Sequence, residues 1–411
     1  MKIIKIEIKN YRSCTHSSVE LNSELSALIG PNGSGKTTIL SALRLHSLLC
    51  LGGARNSIGE LNDSAPVTEI KSWYDVEGKV LVHIAKLNLV TNEKNQDEII
   101  GSQEYWNLYK ITGSRKKIDM ASWLIADLGM RVARISGDSG PRRIVGLSGY
   151  LASRGLEIKD FDILIKVVSE ISEVNYYSAS QFTNPANCPI SFEVEGDTAR
   201  RTGISIFGHK KFLFDMYQEF RRKSDAYDQF LDIVGPAGIR LVERIDFNEY
   251  VTSSFKYSVR TGGNVEKIEK NNLLVIPSFS IAKNQLSPSQ LSEGTFKTLA
   301  LIFYLVTDSS SILMLEEPEV CVHHGLLASI VELIKIYSKK KQIIISTHSD
   351  AILDKLGIDN VFSVRRDDKD GTVISNIKKK LSATDLKALR GYLANEGSLG
   401  EFWKHGDLEN V

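Results

Sequence analysis

Gly30-Pro31-Asn32-Gly33-Ser34-Gly35-Lys36-Thr37 constrains the fold of this chain more than any other stretch. It fits the G-x-x-x-x-G-K-[ST] pattern of a phosphate loop. An apolar run, Leu25 to Ile29, leads into it, and a helical pattern, Thr38 to Leu49, leads out. Strand, glycine-rich loop and helix in that order commit the chain to an α/β fold. The glycines let successive backbone N–H groups turn toward one anion, and the following helix points its N-terminal dipole at the same charge. Lys36 then reaches the β- and γ-phosphates of ATP, and the Thr37 hydroxyl serves Mg²⁺. Asn32, Gly33, Ser34, Gly35 and Thr38 complete the nucleotide contacts expected of the loop.

Such a site needs carboxylates. The apolar run Ile312-Leu313-Met314-Leu315 ends in Glu316-Glu317-Pro318-Glu319. A buried strand with adjacent carboxylates at its carboxyl end suits a phosphate–Mg²⁺ site. Glu316 is assigned to the metal and Glu317 to polarising the attacking water. Alone, these residues would read as the acidic first turn of a helix; the phosphate loop favours the catalytic reading. A second apolar strand, Ile343-Ile344-Ile345, runs into Ser346-Thr347-His348-Ser349. The interval between the two fits one strand–helix–strand crossover, which predicts His348 beside the phosphate loop. There it can donate a hydrogen bond to the γ-phosphate.

Composition narrows the class without choosing a partner. The 411 residues are 42% hydrophobic and 25% charged, the balance of a globular protein with ample core. The net charge is +1, so nucleic-acid contact would have to come from local patches. Lys210-Lys211, Arg221-Arg222-Lys223, Lys339-Lys340-Lys341 and Lys378-Lys379-Lys380 lack interleaved aromatics. They read as solvated faces more readily than as phosphate-binding stripes. Cys14, Cys50, Cys188 and Cys321 show no CxxC spacing, which argues against a disulfide framework or a zinc site. The alternation in MKIIKIEIKNYRS reads as a strand rather than a signal peptide, and no apolar run is long enough for a bilayer. A cytoplasmic chain with no membrane partner is expected.

Along the chain, residues 66–112 alternate in short runs that predict antiparallel strands, and 117–172 look mostly helical with a polar break near Ser136 to Arg143. Asn175 to Phe182 turns strand-like, Phe212 to Val234 reads as one amphipathic helix, and Gly238 to Ile281 holds three strand candidates. The last third alternates helix and strand, the mark of a parallel sheet with covering helices. Asp367, Asp368 and Asp370 in RRDDKDG read as a hairpin turn. Neither that cluster nor any local Ser-His-Asp or Cys-His motif supplies a nuclease.

Leu291-Ser292-Glu293-Gly294-Thr295 precedes a helix that leads to the carboxylate strand. Alone it is a helix cap, with Ser292 in the capping position. Phosphate loop, LSxG segment, acidic strand and histidine in this order resemble the ABC-type ATPase head of the SMC, Rad50, RecF and OLD group. Within it the chain looks most like the RecF-like and OLD-like prokaryotic ATPases. IKNYRS, GPNGSGKTT, QLSEGTFKTLAL, LMLEEPE, IIISTHSDAIL and the segment Gly397 to Trp403 carry the resemblance, over residues 1–50 and 285–365.

The resemblance implies an α/β fold: a phosphate-loop ABC-type head with a mixed or parallel sheet, an antiparallel β lobe and an inserted helical region. Its expected division is a first lobe over 1–187, an inserted arm over 188–269 and a second lobe over 270–411. It implies that Ser292 and Gly294 touch the γ-phosphate of ATP held by a second copy, so that ATP joins two heads. It places Val322-His323-His324 in a dimer-contacting loop and Arg12 near the nucleotide. Gln181 is the candidate for completing the Mg²⁺ shell, and reads equally as a polar residue ending a strand. Glu316 stands where most ABC heads have aspartate, and the middle of the chain holds no long coiled coil of the SMC or Rad50 kind. The implied role is an ATP-hydrolysing sensor or regulator in anti-phage defence or DNA maintenance. Its partners would be a second copy of itself and a separately encoded Toprim or HNH nuclease, with DNA or RNA as a candidate signal. The alternative is a RecF-like ATPase that loads repair factors on DNA.

Overall fold

The computed structural model describes residues 1–51, 66–91, 97–111, 117–124, 161–172, 174–195, 208–259, 265–320, 322–367, 369, 371–395 and 397–404. The break expected near Ser136 to Arg143, Cys321, Asp368 and Asp370 lie outside them. The chain divides into two units: Met1–Tyr176 with Ser309–Glu317 and Val331–Val411, and Tyr177–Asp308 with Pro318–Ile330.

The first unit is organised by a mixed sheet. Its strands are β1 (Lys2–Tyr11), β2 (Cys14–Glu20), β3 (Leu25–Ile29), β4 (Val67–Val76), β5 (Lys79–Thr91), β6 (Asp97–Ile111), β7 (Lys117–Leu124) and β8 (Asn175–Ser178). The sheet order runs β7-β6-β5-β4-β1-β2, then four strands from the C-terminal part, with β3 among them and β8 at the far edge. From β7 to β2 neighbouring strands pair antiparallel, so the antiparallel part is continuous with the parallel part in one sheet. Lys117–Leu124, expected as helix, is a strand: it folds back on β6 with Trp106 opposite Trp123. A hairpin partner overrides local helical pattern when the ladder satisfies its backbone groups.

The second unit carries β9 (Phe192–Glu195), β10 (Arg244–Val259), β11 (Val265–Ile281) and β12 (Asn284–Leu286) in a smaller antiparallel sheet. The three strands expected over 238–281 are therefore two long ones, paired from Arg244–Ser280 out to Val259–Val265. The single helix expected over 212–234 is two, His209–Arg222 and Asp225–Val234. Lys223 turns left-handed at φ 50°, and Ser224 caps the second helix by accepting the Tyr227 N–H at 3.1 Å. A serine followed by aspartate is a strong start signal, and it interrupts the amphipathic period here. Among the described residues the middle of the chain holds this helix pair and hairpin, with no long coiled coil.

Both helices pack with Glu293–Thr307 around an aromatic core. Phe212 meets Phe296 at 5.3 Å and Phe303 at 5.6 Å between ring centroids, and Phe230 meets Phe303 at 5.4 Å. All four rings are buried, in edge-on contacts that each add about 0.5–1.5 kcal/mol beyond the area they bury.

The remaining strands return to the first unit: β13 (Ile312–Glu316), β14 (Gln342–Thr347), β15 (Val361–Asp367) and β16 (Gly371–Asn376). β13, β14, β3 and β15 lie side by side and parallel, and β15 turns back into β16, which joins the antiparallel part at β2. Every residue of β3 and β14 is buried, as a strand covered on both faces requires. Leu28, Met314, Ile344 and Phe362 face one core with the helix Lys36–Leu51. Ile29 and Val361, of opposite parity, face another with Leu353, Ile377, Leu389 and Leu399. Gln342, wholly buried, pins the sheet: its amide donates to the carbonyls of Ile3 at 2.8 Å and Asn22 at 2.7 Å and accepts the Ile3 N–H at 2.7 Å.

Candidate nucleotide-binding site

Three parallel strands end together. β3 runs into Gly30, β13 ends at Glu316, and β14 ends at Thr347 before His348; Glu316 is level with Ser346, and Thr347 with Ile29. Ligands of open α/β sheets sit beyond such carboxyl ends.

The phosphate loop closes over this edge because two of its glycines allow close approach. A side chain at Gly30 would strike the Val364 carbonyl of β15, and one at Gly35, whose φ is +109°, would strike the Thr372 hydroxyl of β16. Thr372 Oγ1 lies within hydrogen-bond distance of the Ser34 carbonyl at 3.1 Å and of Ser13 Oγ at 2.9 Å, and Ser13 donates to Thr38 Oγ1 at 3.1 Å. Thr38 is thus buried in a hydroxyl chain behind the loop, whereas Thr37 and Asn32 are exposed. Thr372 belongs to no motif and Ser13 only closes IKNYRS, and the fold alone reveals that they brace the loop. Lys36 is buried at 6% exposure and donates to the carbonyls of Gly30 at 2.7 Å and Pro31 at 3.0 Å.

Thr37 Oγ1 donates to Glu316 Oε1 at 2.5 Å. The other oxygen, Oε2, accepts the hydroxyl of Tyr176 from β8. Thr37, Ser41 and Arg44 follow each other at helical spacing along Lys36–Leu51. The Arg44 guanidinium lies over the Tyr176 ring at 5.0 Å, and burial lowers its pKa against the opposing pull of Tyr176, Glu316 and Tyr11. Ser41 Oγ accepts from Tyr11 at 3.3 Å and Arg12 at 3.5 Å. Arg12 reaches it from a hairpin turn in which its own φ is 48°, next to the pair Tyr11–Cys14.

Glu317 departs from strand geometry. Its φ is +47°, a left-handed conformation that costs a residue with a Cβ about 1–2 kcal/mol, and its N–H donates to the Ser346 carbonyl at 2.9 Å. The turn redirects the side chain at the strand end, where Glu317 Oε1 and His348 Nδ1 lie 3.6 Å apart, both half-exposed. Backbone strain of this kind concentrates at functional positions.

The second unit holds the remaining candidates. Ser292 caps the helix Glu293–Thr307 by accepting the Thr295 N–H at 3.2 Å, and Gly294 lies in its first turn. Lys297, almost wholly buried, pairs with Glu293 at 2.7 Å, and its carbonyl accepts the Tyr177 hydroxyl at 3.0 Å. Gln181 does not end a strand. It lies in a short 3-10 turn, Ala179–Phe182, after β8. The residue that β8 sets on Glu316 is Tyr176. His323 Nδ1 accepts the Gly325 N–H at 3.2 Å ahead of the helix His324–Ser338.

Residues 1–110 match the family model described as "AAA ATPase domain", and residues 278–354 match "AAA domain, putative AbiEii toxin, Type IV TA system". A stretch of 57 residues, 14% of the chain, is 40% identical to structural maintenance of chromosomes protein 5 of Arabidopsis thaliana and spans 5% of that protein. Among solved structures, the SMC head domain from Thermotoga maritima aligns at 12% identity over 91% of this chain and 98% of its own, with a TM-score of 0.39. The SmcHead bound to the C-winged helix domain of ScpA aligns at 16% identity over 94% of this chain and 100% of its own, with a TM-score of 0.44. The phosphate loop lies within the first of the two matched segments, and the carboxylate strand and His348 lie within the second. Among the described residues no helix is long and apolar enough to cross a membrane.

Proposed function

We propose that the chain binds Mg·ATP at the phosphate loop, dimerises around it and hydrolyses it. The contact of Thr37 with Glu316 carries this reading, because it joins the loop's helix to the carboxylate strand at the point where a nucleotide's phosphates would lie. A hydroxyl and a carboxylate are the hard oxygen donors Mg²⁺ takes, so the residues fit the metal. Bound there, the metal would neutralise charge on the β- and γ-phosphate oxygens. Lys36 adds a second cation, while Asn32, Gly33, Ser34 and Gly35 supply the cradle and Arg12 stands alongside. Glu317 accepts a proton from the water that attacks the γ-phosphorus as the bond to the bridging oxygen breaks, leaving ADP and phosphate. His348 donates to the γ-phosphate. Gln181 completes the metal shell, and Ser292 and Gly294 serve the nucleotide of the second copy, with Val322-His323-His324 at the same interface.

In the cell, the chain acts as an ATP-gated sensor or regulator in an anti-phage defence or DNA-maintenance complex and controls a separately encoded Toprim or HNH nuclease. The toxin–antitoxin wording of the model matched over 278–354 supports the defence setting. Mass photometry with and without a non-hydrolysable ATP analogue tests dimerisation: a mass that stays monomeric with bound analogue overturns it. Co-purification tests the role. A nuclease held by the tagged chain is the expected result; repair factors on DNA would favour the RecF-like alternative.

A further inference from the structure

Glu316 has three side-chain torsions to fix before its carboxylate can serve a ligand, and fixing them costs conformational entropy. Thr37 constrains one oxygen only. The second is held by Tyr176, which the expected signature of the site does not include. β8 lies at the sheet edge, and the Tyr176 ring is covered by Arg44 from the phosphate-loop helix. Tyr176 therefore connects the carboxylate strand to the helix that carries Thr37, and each carboxylate oxygen of Glu316 has its own hydroxyl partner.

We propose that Tyr176 is a positioning residue for Glu316: its hydroxyl holds Oε2 so that Oε1 faces Thr37 and the divalent cation. The proposal rests on reading Glu316 as the metal carboxylate. A partner that orients a ligating carboxylate changes metal affinity by about tenfold or more when removed. It leaves alone the contacts a nucleotide makes with the phosphate loop without metal.

Manganese(II) binding to the full chain, followed by electron paramagnetic resonance in the presence of a non-hydrolysable ATP analogue, reads this directly. Tyr176→Phe keeps the ring under Arg44 and removes only the hydroxyl. It is expected to weaken manganese binding about tenfold while metal-free binding of the analogue, in chelator, stays within about twofold. In a Glu316→Asp background the carboxylate is too short to span both hydroxyls, so the same change should add almost nothing. Wild-type manganese affinity in Tyr176→Phe overturns the proposal, as does an undiminished loss in the Glu316→Asp background. A purely structural tyrosine would instead weaken metal-free and metal-loaded binding alike. If the wild-type protein binds analogue but takes up no manganese with it, the reading of Glu316 itself fails, and Tyr176 with it.

Discussion

Thr37 and Glu316 stand 279 positions apart in the chain and 2.5 Å apart in space, hydroxyl to carboxylate. The contact exists because β3 and β13 flank β14 in parallel, so the loop leaving one strand and the carboxylates ending the other emerge at the same edge. The expected consequences concern the residues around it.

Lys36→Ala should reduce nucleotide affinity by at least about tenfold, about 1.4 kcal/mol. The phosphates lose the one loop cation placed among the Gly30 and Pro31 carbonyls. Equilibrium binding of a fluorescent ATP analogue measures it, and an affinity unchanged within about a factor of two would reject the assignment.

Glu317→Gln should retain ATP and slow hydrolysis by about 100-fold or more, the loss expected when a general base is removed. Single-turnover assays with labelled ATP read the chemical step, and size-exclusion should show an ATP-bound dimer that persists. Hydrolysis at the wild-type rate would mean that a different group polarises the water.

Acid should destabilise the protein through His46. It is buried against Tyr74 and His83 in the first unit, at the far end of the helix that starts at Lys36. Burial, and the charge of His83, hold its pKa well below 6.5, against a smaller opposing effect of the Ile70 carbonyl. The facing groups are His83, whose Nε2 contacts Glu104 at 2.8 Å, and the Tyr74 hydroxyl. The unfolded chain binds a proton at His46 near pH 6.5 and the folded chain does not. Stability is therefore kept above about pH 6.5 and lost below it, by up to about 1.4 kcal/mol per pH unit until the folded pKa is reached. Urea denaturation between pH 7.5 and 5.5 should show a smaller drop for His46→Gln than for the wild type; equal slopes would remove His46 as the cause.

Ser292→Arg should leave ATP binding by the chain's own loop intact and abolish hydrolysis. Mixed with Lys36→Ala, it should regain about one working site per heterodimer, since one interface then pairs an intact loop with an intact Ser292 and Gly294. ATPase assays on the mixture, beside each variant alone, decide this. No recovery in demonstrated heterodimers would reject a site shared between copies.

Much of the site was legible in residues 30–37, 312–317 and 343–348, because each motif is local: a loop conformation that needs glycines, and short apolar strands that end in charge. Their meeting could be inferred from the parallel crossover alone. Tyr176, Ser13 and Thr372 could not, since a tyrosine, a serine and a threonine in strands or turns have no chemistry until a neighbour gives them one. The end of β8 was also decided by the fold: the chain leaves strand geometry at Ser178, Gln181 follows in a 3-10 turn, and Tyr176 is what β8 sets against Glu316.

The sequence by itself determined the α/β class, the phosphate loop, and the carboxylate and histidine strand ends, all properties of consecutive residues and their period. Tertiary structure decided the rest. Lys117–Leu124 became a strand because β6 offered a ladder, the helix expected over 212–234 broke at Lys223 and Ser224, and Glu317 adopted a left-handed turn fastened to Ser346. In each case a partner distant in sequence, or a cap competing with the helical period, outweighed a local preference worth at most about 2 kcal/mol per residue.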